Sequence, residues 1–447
     1  MQTIDMLIHA DWVIPVTDGD PVLYNHSIAV QGDRIHAILP TEQALSQFSP
    51  AIEQRLEQHT VIPGLINAHT HSPMTLFRGI ADDLPLMEWL NEHIWPAEQR
   101  WITEDFVHDG IELAMAEMLR SGTTCFNDMY FYPDVSARLA RQVGMRACIG
   151  LIVLDFPTAW ASNSDEYIEK ALALRDEYRS DSLISTPFAP HAPFTVSDGP
   201  LERIRVFADE MDLPIHIHVH ETAHEVAEAI QHSGKRPLQR LHDLGLVTPN
   251  LVAVHMTQLD ESDLELLAES GSHVVHCPES NLKLASGFCP VQTLLDAGVN
   301  VDLGTDGAAS NNDLNMLGEM KTAALLGKGI AQDPAALNAT QVLRMATING
   351  ARALGIDSLI GSLEVGKQAD MVAVDFSALE MQPVYNPLSH LVYACHRHSV
   401  SQVWVAGRHL LKDRQLTSLD EQKIHTKTQA WNDKIARHHN PNAADNT

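Results

Sequence analysis

The chain has 447 residues, of which 45% are hydrophobic and 20% charged, a balance typical of a globular protein and not of a disordered one. Its 58 acidic and 30 basic side chains give a formal net charge of −28, which argues against nucleic-acid polymers and membrane surfaces as partners. Five scattered cysteines without a C-x-x-C pair argue against a disulfide framework or a cysteine zinc site, and we expect reduced thiols in a cytoplasmic protein.

Short strands are predicted near both ends of the chain. Residues 1–60 contain DMLIHADWVIPV and SIAVQGDRIHAIL, the second with a Gly-Asp turn between two alternating runs. Beyond residue 361, GSLEVGKQADMVAVDF and VSQVWVAGRHLLKD have the same strand–turn–strand pattern. We therefore expect residues 1–60 and 361–415 to pair into one small, β-sandwich-like domain. A C-terminal helix and tail are expected over 416–447, with its last residues frayed.

Between these ends, residues 61–360 alternate short apolar runs with amphipathic helical segments. Strands that alternate with helices imply parallel βαβ units, and eight such units predict a (β/α)₈ barrel, an α/β fold. The eight candidate strands are VIPGLINAH, GTTCFND, MRACIGL, LISTPFAPH, PIHIHVH, LVAVHM, HVVHCP and VNVDLGTD.

Polar side chains stand at the ends of most of these candidate strands. The carboxyl ends of barrel strands meet on one face, where catalytic residues of such barrels lie. Imidazole and carboxylate ligands suit zinc or iron, and a set of three histidines and one aspartate leaves room for a water. The candidates are His69 and His71 after the first strand, His191 after the fourth, His216, His218, His220 and Glu221 in the fifth, His255 in the sixth, His276 in the seventh and Asp306 after the eighth.

Each of these residues also has an ordinary structural interpretation. At most one or two of the three histidines of the fifth strand can be ligands, and the others pack or form supporting hydrogen bonds. Glu221 is also compatible with a charge at a helix N-terminus, where Thr222 and Glu225 predict a capping box. The ordinary interpretations would need a coincidence at five strand ends, so the pattern as a whole favours a metal centre.

A metal centre of this kind predicts hydrolysis. A bound metal lowers the pKa of water from 15.7 to about 7 and so supplies hydroxide at neutral pH. Glu221 is the free carboxylic acid nearby that can protonate the substrate, Asp306 can be both ligand and base, and His255 can stabilise developing charge. The expected reaction is attack on an electrophilic carbon, either a carbonyl or an amidine-like ring carbon.

The motifs NAHTH, HVHET, AVHMT and GTDGAASNN, in this order, resemble the amidohydrolase superfamily. The stretches SPMTLFRGIADDLPLMEWL and HCPESNLKLASGFCPV resemble its 5'-methylthioadenosine/S-adenosylhomocysteine deaminases in particular. The likeness runs from DMLIHADWVIPV to VWVAGRHLL, nearly the whole chain. It implies metal-dependent deamination of the adenine ring of 5'-methylthioadenosine, S-adenosylhomocysteine or both, giving the inosine analogue and ammonia.

The resemblance also implies roles for individual residues. One divalent metal per subunit, zinc with iron as the alternative, would be held by His69, His71, His218 and Asp306. Glu221 would protonate the purine ring, and His255 and Asp306 would handle the attacking water. Glu98 would hold the ribose hydroxyls, His191 would contact the substrate, and a homo-oligomer follows from family habit alone. The fourth candidate strand lacks the lysine that bridges two metals in hydantoinase-like relatives, so the site is expected to be mononuclear.

One position departs from the family pattern. Some of these deaminases carry an arginine after the GMRA stretch that engages the amino-acid end of S-adenosylhomocysteine. Leu151 occupies that place here, and the following VLDFPTAW has no positive charge. An apolar lining suits a methylthio group better than a carboxylate, so we rank methylthioadenosine first and S-adenosylhomocysteine second.

Three other interpretations compete with this one. The nearest is another ring hydrolysis on the same scaffold, with guanine, adenosine or a triazine as substrate. A second is a non-catalytic relative that serves in assembly. The retention of all four ligand positions and of Glu221 argues against it. A third is a purely structural metal, but structural sites draw their ligands from close positions, whereas these lie hundreds of residues apart.

Overall fold

The computed structural model describes residues 1–439, and the last part of the expected tail lies outside them. The strands are β1 Gln2–Val13, β2 Leu23–Gln31, β3 Arg34–Pro40, β4 Phe48–Pro63, β5 Leu65–Thr70, β6 Thr123–Asp128, β7 Arg146–Ile149, β8 Leu151–Val153, β9 Ile184–Ser185, β10 Phe188–Pro190, β11 Ile215–Val219, β12 Leu251–His255, β13 His273–His276, β14 Asn300–Leu303, β15 Met371–Asp375, β16 Val400–Val405, β17 Arg408–Lys412 and β18 Gln415–Leu416.

Helices connect most of these strands. The α-helices are α1 Thr41–Gln47, α2 Leu86–Glu88, α3 Trp95–Trp101, α4 Glu104–Arg120, α5 Pro133–Val143, α6 Ser164–Tyr178, α7 Asp198–Met211, α8 Ala223–Ser233, α9 Pro237–Asp243, α10 Glu261–Ser270, α11 Pro278–Lys283, α12 Val291–Asp296, α13 Met316–Ala331, α14 Ala339–Arg344, α15 Gly350–Ala353, α16 Pro387–Tyr393 and α17 Glu421–His439. Short 3₁₀ helices span Ser72–Phe77, Leu379–Met381 and Arg397–Ser399, and π-helical turns span Trp89–Ile94 and Met345–Asn349. Within residues 1–439, every helix is too short or too polar to cross a bilayer.

The middle of the chain forms the predicted barrel. Parallel pairing runs β5–β6–β7–β9 and β8–β10–β11–β12–β13–β14, so that β7 with β8 and β9 with β10 share the third and fourth positions. The backbone N–H of Asp306 donates to the carbonyl of His69 at 3.0 Å, which joins the end of β14 to β5. Within the described residues the barrel therefore has eight strand positions, as the eight apolar runs predict.

Strands from both chain ends form one mixed sheet in the order β18-β17-β16-β15-β4-β1-β2-β3. Its centre is the antiparallel pairing of β4 with β15, where Val61 lies opposite Ala373. The sheet is fixed to the barrel by a buried ion pair between Arg146 on β7 and Asp370, with Nε and Oδ2 2.8 Å apart. The predicted fold class, a barrel with a β domain built from both ends, is confirmed.

Strand alternation decides which side chains reach the barrel interior. On β11, Ile215, Ile217 and Val219 join the large apolar core beneath the surrounding helices. The intervening His216 and His218 then point to the opposite, inner side because successive side chains of a strand alternate. A single strand thus packs the core with one face and supplies polar groups to the barrel mouth with the other.

Candidate metal centre and catalytic pocket

Four donor atoms converge at the carboxyl ends of β5, β11 and β14. Nε2 of His69 lies 3.2 Å from Nε2 of His218 and 3.3 Å from Oδ1 of Asp306. Nε2 of His71 lies 3.3 Å from the same Asp306 oxygen. Four donors on a tetrahedral zinc ion would be about 3.3 Å apart, given bonds of about 2.0–2.1 Å. The observed separations fit one such ion.

Hydrogen bonds on the outer ring nitrogens turn these imidazoles inward. Nδ1–H of His71 donates to the carbonyl of Met129 at 2.6 Å, and Nδ1–H of His218 donates to the carbonyl of His191 at 2.6 Å. Since a carbonyl can only accept, both Nε2 atoms present lone pairs to the cluster. Nδ1 of His69 forms a 2.9 Å hydrogen bond with Nε2 of His216. Converging lone pairs need a cation, which is the arrangement of a metal site.

Electrostatics favours the ligand-competent protonation states. Burial lowers the pKa of His69 to about 4 and places that of His218 well below its usual range, so both rings are neutral at pH 7. Burial alone would raise the pKa of Asp306, but the hydrogen bond with His69 and the neighbouring imidazoles hold it well below its usual range. His69 and His218 therefore enter the donor set as neutral imidazoles and Asp306 enters it as a carboxylate, the forms that bind a metal.

The Asp306 carboxylate is fixed by its own hydrogen bonds. The backbone N–H of Gly307 donates to Oδ1 at 2.7 Å, and the hydroxyls of Ser280 and Ser310 donate to Oδ2 at 2.6 and 2.9 Å. Asp306 has a positive φ of 63°, an uncommon backbone conformation for a residue other than glycine. The surroundings hold this conformation, and the Asp306 carboxylate is buried with both of its oxygens hydrogen-bonded.

Glu221 and His255 lie beside the four donors. Oε2 of Glu221 is 3.8 Å from Nε2 of His255, and burial raises the pKa of the Glu221 carboxyl. Nδ1 of His255 is hydrogen-bonded to Oδ1 of Asn281 at 2.8 Å, so this nitrogen donates there and Nε2 is the ring nitrogen that faces Glu221. The pair thus places a carboxyl whose protonated form is favoured by burial beside an imidazole.

A cavity of about 350 Å³ opens above the cluster. Glu98 and His191 both line it, and Oε1 of Glu98 accepts a 2.8 Å hydrogen bond from the hydroxyl of Tyr130. Burial raises the pKa of Glu98 to about 7. Seven of the predicted site residues line this one cavity: His71, Glu98, His191, His218, Glu221, His255 and Asp306. The eighth, His69, is buried behind them.

Three other candidate histidines do not line the pocket. His216 lies behind His69, and Nε2 of His220 accepts a 3.1 Å hydrogen bond from the backbone N–H of Leu238. His276 is buried, and burial lowers its pKa to about 3. Two of the three fifth-strand histidines thus have the supporting role that the sequence left open.

Leu151 is not part of the pocket wall. Its side chain is fully buried in the main apolar core, whereas Ile152, Leu154 and Phe156 line the cavity. The apolar wall is therefore supplied by Ile152 together with Leu154 and Phe156 of the VLDFPTAW stretch, and not by Leu151. Among the residues described, 1–439, the cavity is lined by no lysine or arginine.

Sequence reasoning missed Tyr130, Asn281 and the two serines on Asp306. Tyr130 follows β6 by two residues and has no motif that marks it. Ser280 and Asn281 lie inside HCPESNLKLASGFCPV and Ser310 lies inside GTDGAASNN, but neither stretch indicates which of its polar side chains reaches the site. Their roles arise only from the packing of separate loops around the barrel mouth.

Closure of the barrel predicts a strong effect for one glycine. A Cβ at Gly304 would lie 2.8 Å from the Cβ and the backbone nitrogen of His69, which cannot move without displacing a metal donor. Gly304→Ala should therefore destabilise the fold by about 1–3 kcal/mol and weaken zinc binding. Thermal unfolding and zinc titration measure both effects. Gly329→Ala, on α13 with open space around it, is the control and should not lower stability; equal unfolding temperatures for the two variants would contradict the prediction.

A parallel (β/α)₈ barrel with imidazoles and a carboxylate at the carboxyl ends of its strands is the arrangement of metal-dependent hydrolases. The amidohydrolase family matches residues 60–410, and this chain belongs to that family. The resemblance drawn from the histidine motifs is thereby confirmed.

Near relatives cover almost the whole chain. A Teredinibacter turnerae protein named 5-methylthioadenosine/S-adenosylhomocysteine deaminase is 53% identical over 97% of this chain and 98% of its own. The Saccharophagus degradans protein of the same name is 54% identical over 96% of this chain and 97% of its own. Among solved structures, an adenosine deaminase from Xanthomonas campestris with bound zinc is 54% identical, with a TM-score of 0.96 over 97% of this chain and 99% of that one.

Proposed function

We propose that this protein is a metal-dependent aminohydrolase that deaminates the adenine ring of 5'-methylthioadenosine, S-adenosylhomocysteine or both. The observation that carries the proposal is the convergence of His69, His71, His218 and Asp306 beside Glu221 and His255. Relatives more than half identical over nearly the whole chain carry the name of that deaminase, and the similar Xanthomonas campestris structure contains zinc.

The metal-binding residues in this proposal are His69, His71, His218 and Asp306. They would hold one divalent ion, zinc with iron as the alternative, because their donor atoms have the spacing that zinc needs. When bound, the ion supplies activated water at neutral pH.

The protein's own groups then move protons and hold the substrate. Glu221 donates a proton to the purine ring nitrogen as the ring carbon becomes tetrahedral, and His255, assisted by Asp306, takes one proton of the attacking water. That proton passes to the amino group, which leaves as ammonia when the C–N bond breaks, and the remaining hydroxyl proton returns to Glu221 as the C=O bond forms. Glu98 accepts hydrogen bonds from the ribose hydroxyls, and His191 contacts the substrate. The balanced reaction adds one water, replaces the ring amino group by oxygen and releases ammonia.

The pocket wall favours the smaller thioether nucleoside. Ile152, Leu154 and Phe156 line the cavity, and within residues 1–439 no lysine or arginine lines it to pair with a carboxylate. Burying the charged amino-acid end of S-adenosylhomocysteine against such a wall is unfavourable unless that end stays in water. We therefore rank 5'-methylthioadenosine above S-adenosylhomocysteine.

Ammonia release tests this function. Metal-replete protein is assayed with 5'-methylthioadenosine, S-adenosylhomocysteine, adenosine and guanine, beside protein stripped of metal by a chelator. We expect release from the thioether nucleosides, its loss on stripping and its return when zinc is restored. Failure to act on any nucleoside would refute the proposed function and direct the search to free bases or triazines.

We also propose the domain boundaries, the cellular compartment and the oligomeric state. The domains are 1–60 with 361–415, 61–360, and 416–447, supported by the sheet that joins both chain ends. The five free, buried cysteines support a cytoplasmic protein, and the acidic charge argues against nucleic-acid and membrane partners. A homo-oligomer rests on the family resemblance alone, and light scattering of the purified protein tests it.

A further inference from the structure

The turn between β11 and α8 has an unusual backbone. The ladder between β11 and β12 ends at the pair Val219 and His255. The next residue, His220, has φ of +54°, a left-handed conformation that disfavours any residue with a side chain. This conformation turns the chain out of the sheet immediately before Glu221, so the aim of the Glu221 side chain depends on what holds the turn.

Glu225 holds the turn from one side. Its Oε1 accepts the backbone N–H of His220 at 3.2 Å, and its Oε2 accepts the backbone N–H of Glu221 at 2.7 Å. The two N–H groups that leave the sheet are thus bound by one carboxylate. The predicted capping box is only half formed, because Thr222 accepts the N–H of Glu225 at 3.2 Å while the Glu225 carboxylate is directed at the turn instead.

Thr257 holds the same turn from the other side. Its hydroxyl donates to the carbonyl of Glu221 at 2.7 Å, and its backbone N–H donates to the carbonyl of His220 at 3.0 Å. Thr257 is itself buried. The peptide group between His220 and Glu221 is therefore held on both its donor and its acceptor side, and the carbonyl of Glu221 is held as well.

We propose that Glu225 is a positioning residue for Glu221, an inference that rests on the proposed role of Glu221 as proton donor. Glu225 binds no substrate and no metal donor side chain; it acts by fixing the backbone from which Glu221 reaches the pocket. Catalysis needs the donor within hydrogen-bonding distance of the ring nitrogen, and a misplacement of about 1 Å can lower the rate about 10²-fold.

The Glu225 carboxylate with its two backbone N–H donors, from His220 and Glu221, is called the clamp below. Substitutions of Glu225 should weaken the clamp by different amounts. Glutamine retains one acceptor oxygen but presents an NH₂ group to the second backbone N–H, and alanine removes both acceptors. We therefore expect Glu225→Gln to lower kcat about tenfold and Glu225→Ala about 10²-fold, with KM changed little because the substrate contacts remain. Metal content, measured by elemental analysis, should stay at the wild-type level.

A double-mutant cycle separates positioning from a general structural role. Once Glu221 is glutamine, no proton donor remains to be aimed, so adding Glu225→Ala should not lower the residual rate further. Losses that multiply in the double variant would overturn the proposal, as would a Glu225→Ala enzyme with wild-type kcat or with reduced metal content.

Two further variants complete the experiment. Thr257→Val removes the hydroxyl from the opposite side of the turn and should lower kcat in the same way. Asp181→Asn is the matched control, because the Asp181 carboxylate also accepts two backbone N–H groups, those of Leu183 and Ile184, but lies outside the pocket lining. Its kcat should equal that of the wild type.

The inference can fail independently of the proposed function. If the wild type deaminates no nucleoside, the function is refuted, and the clamp is judged from crystal structures of Glu225→Ala and Thr257→Val. In those structures the Glu221 carboxylate should have left its position 3.8 Å from Nε2 of His255. A Glu221 that has not moved in either variant would overturn the positioning role.

Discussion

Replacing Glu221 by glutamine is expected to lower kcat by about 10²–10⁴-fold, the usual contribution of a general acid. Glutamine has the same size and still forms hydrogen bonds, but it has no proton to release to a ring nitrogen. The four metal donors are other residues, so metal content and thermal stability should be unchanged. Steady-state ammonia release, together with elemental analysis for metal, gives both quantities from one protein preparation.

The control for this variant is Glu112→Gln, which neutralises a partly buried glutamate on α4 that pairs with Lys427 outside the pocket. Its turnover should match that of the wild type. If Glu221→Gln retained a wild-type kcat with metal bound, Glu221 would not be the proton donor, and His255 would become the next candidate for that role.

The barrel was predictable because each strand joins an apolar run to a polar end. Eight runs correspond to eight strand positions, and the histidines and Asp306 at their ends meet as parallel topology requires. Strand interruptions were not predictable. Gly150 separates β7 from β8 where a Cβ would lie 2.6 Å from the carbonyl oxygen of Asp128, and this contact exists only in the closed barrel.

Residues that act through loops could not be derived from the sequence pattern. Glu98 reads as a helix charge, and only the folding of the helical segment over the barrel mouth brings it to the cavity with Tyr130. Glu225 matches a helix-capping motif, yet its carboxylate binds the turn before the helix. In both cases local propensity is compatible with the observed helix, while tertiary contacts decide the function of the side chain.

Glu98→Ala should reduce kcat/KM for nucleosides by about 10²-fold or more, because two hydrogen bonds from ribose hydroxyls to a charged carboxylate contribute about 1.5–3 kcal/mol each. Substrates without a ribose should be affected little. Glu92→Ala, exposed on the same helical segment, is the control and should leave both substrate classes unchanged. Unaltered nucleoside kinetics in Glu98→Ala would remove the ribose-binding role.

The same carboxylate predicts a pH signature that identifies it. Burial raises the pKa of Glu98 to about 7, against the lowering effect of the Tyr130 hydrogen bond, so the group is mostly protonated below pH 7. A protonated carboxyl loses acceptor capacity, and KM for nucleosides should therefore rise as the pH falls from about 8 to about 6. Glu98→Ala should lack this rise, because no titrating group remains at that position. A wild-type KM that is flat over this range, beside a weakened Glu98→Ala, would mean that Glu98 is ionised throughout and contacts the ribose from a more polar environment than its burial indicates.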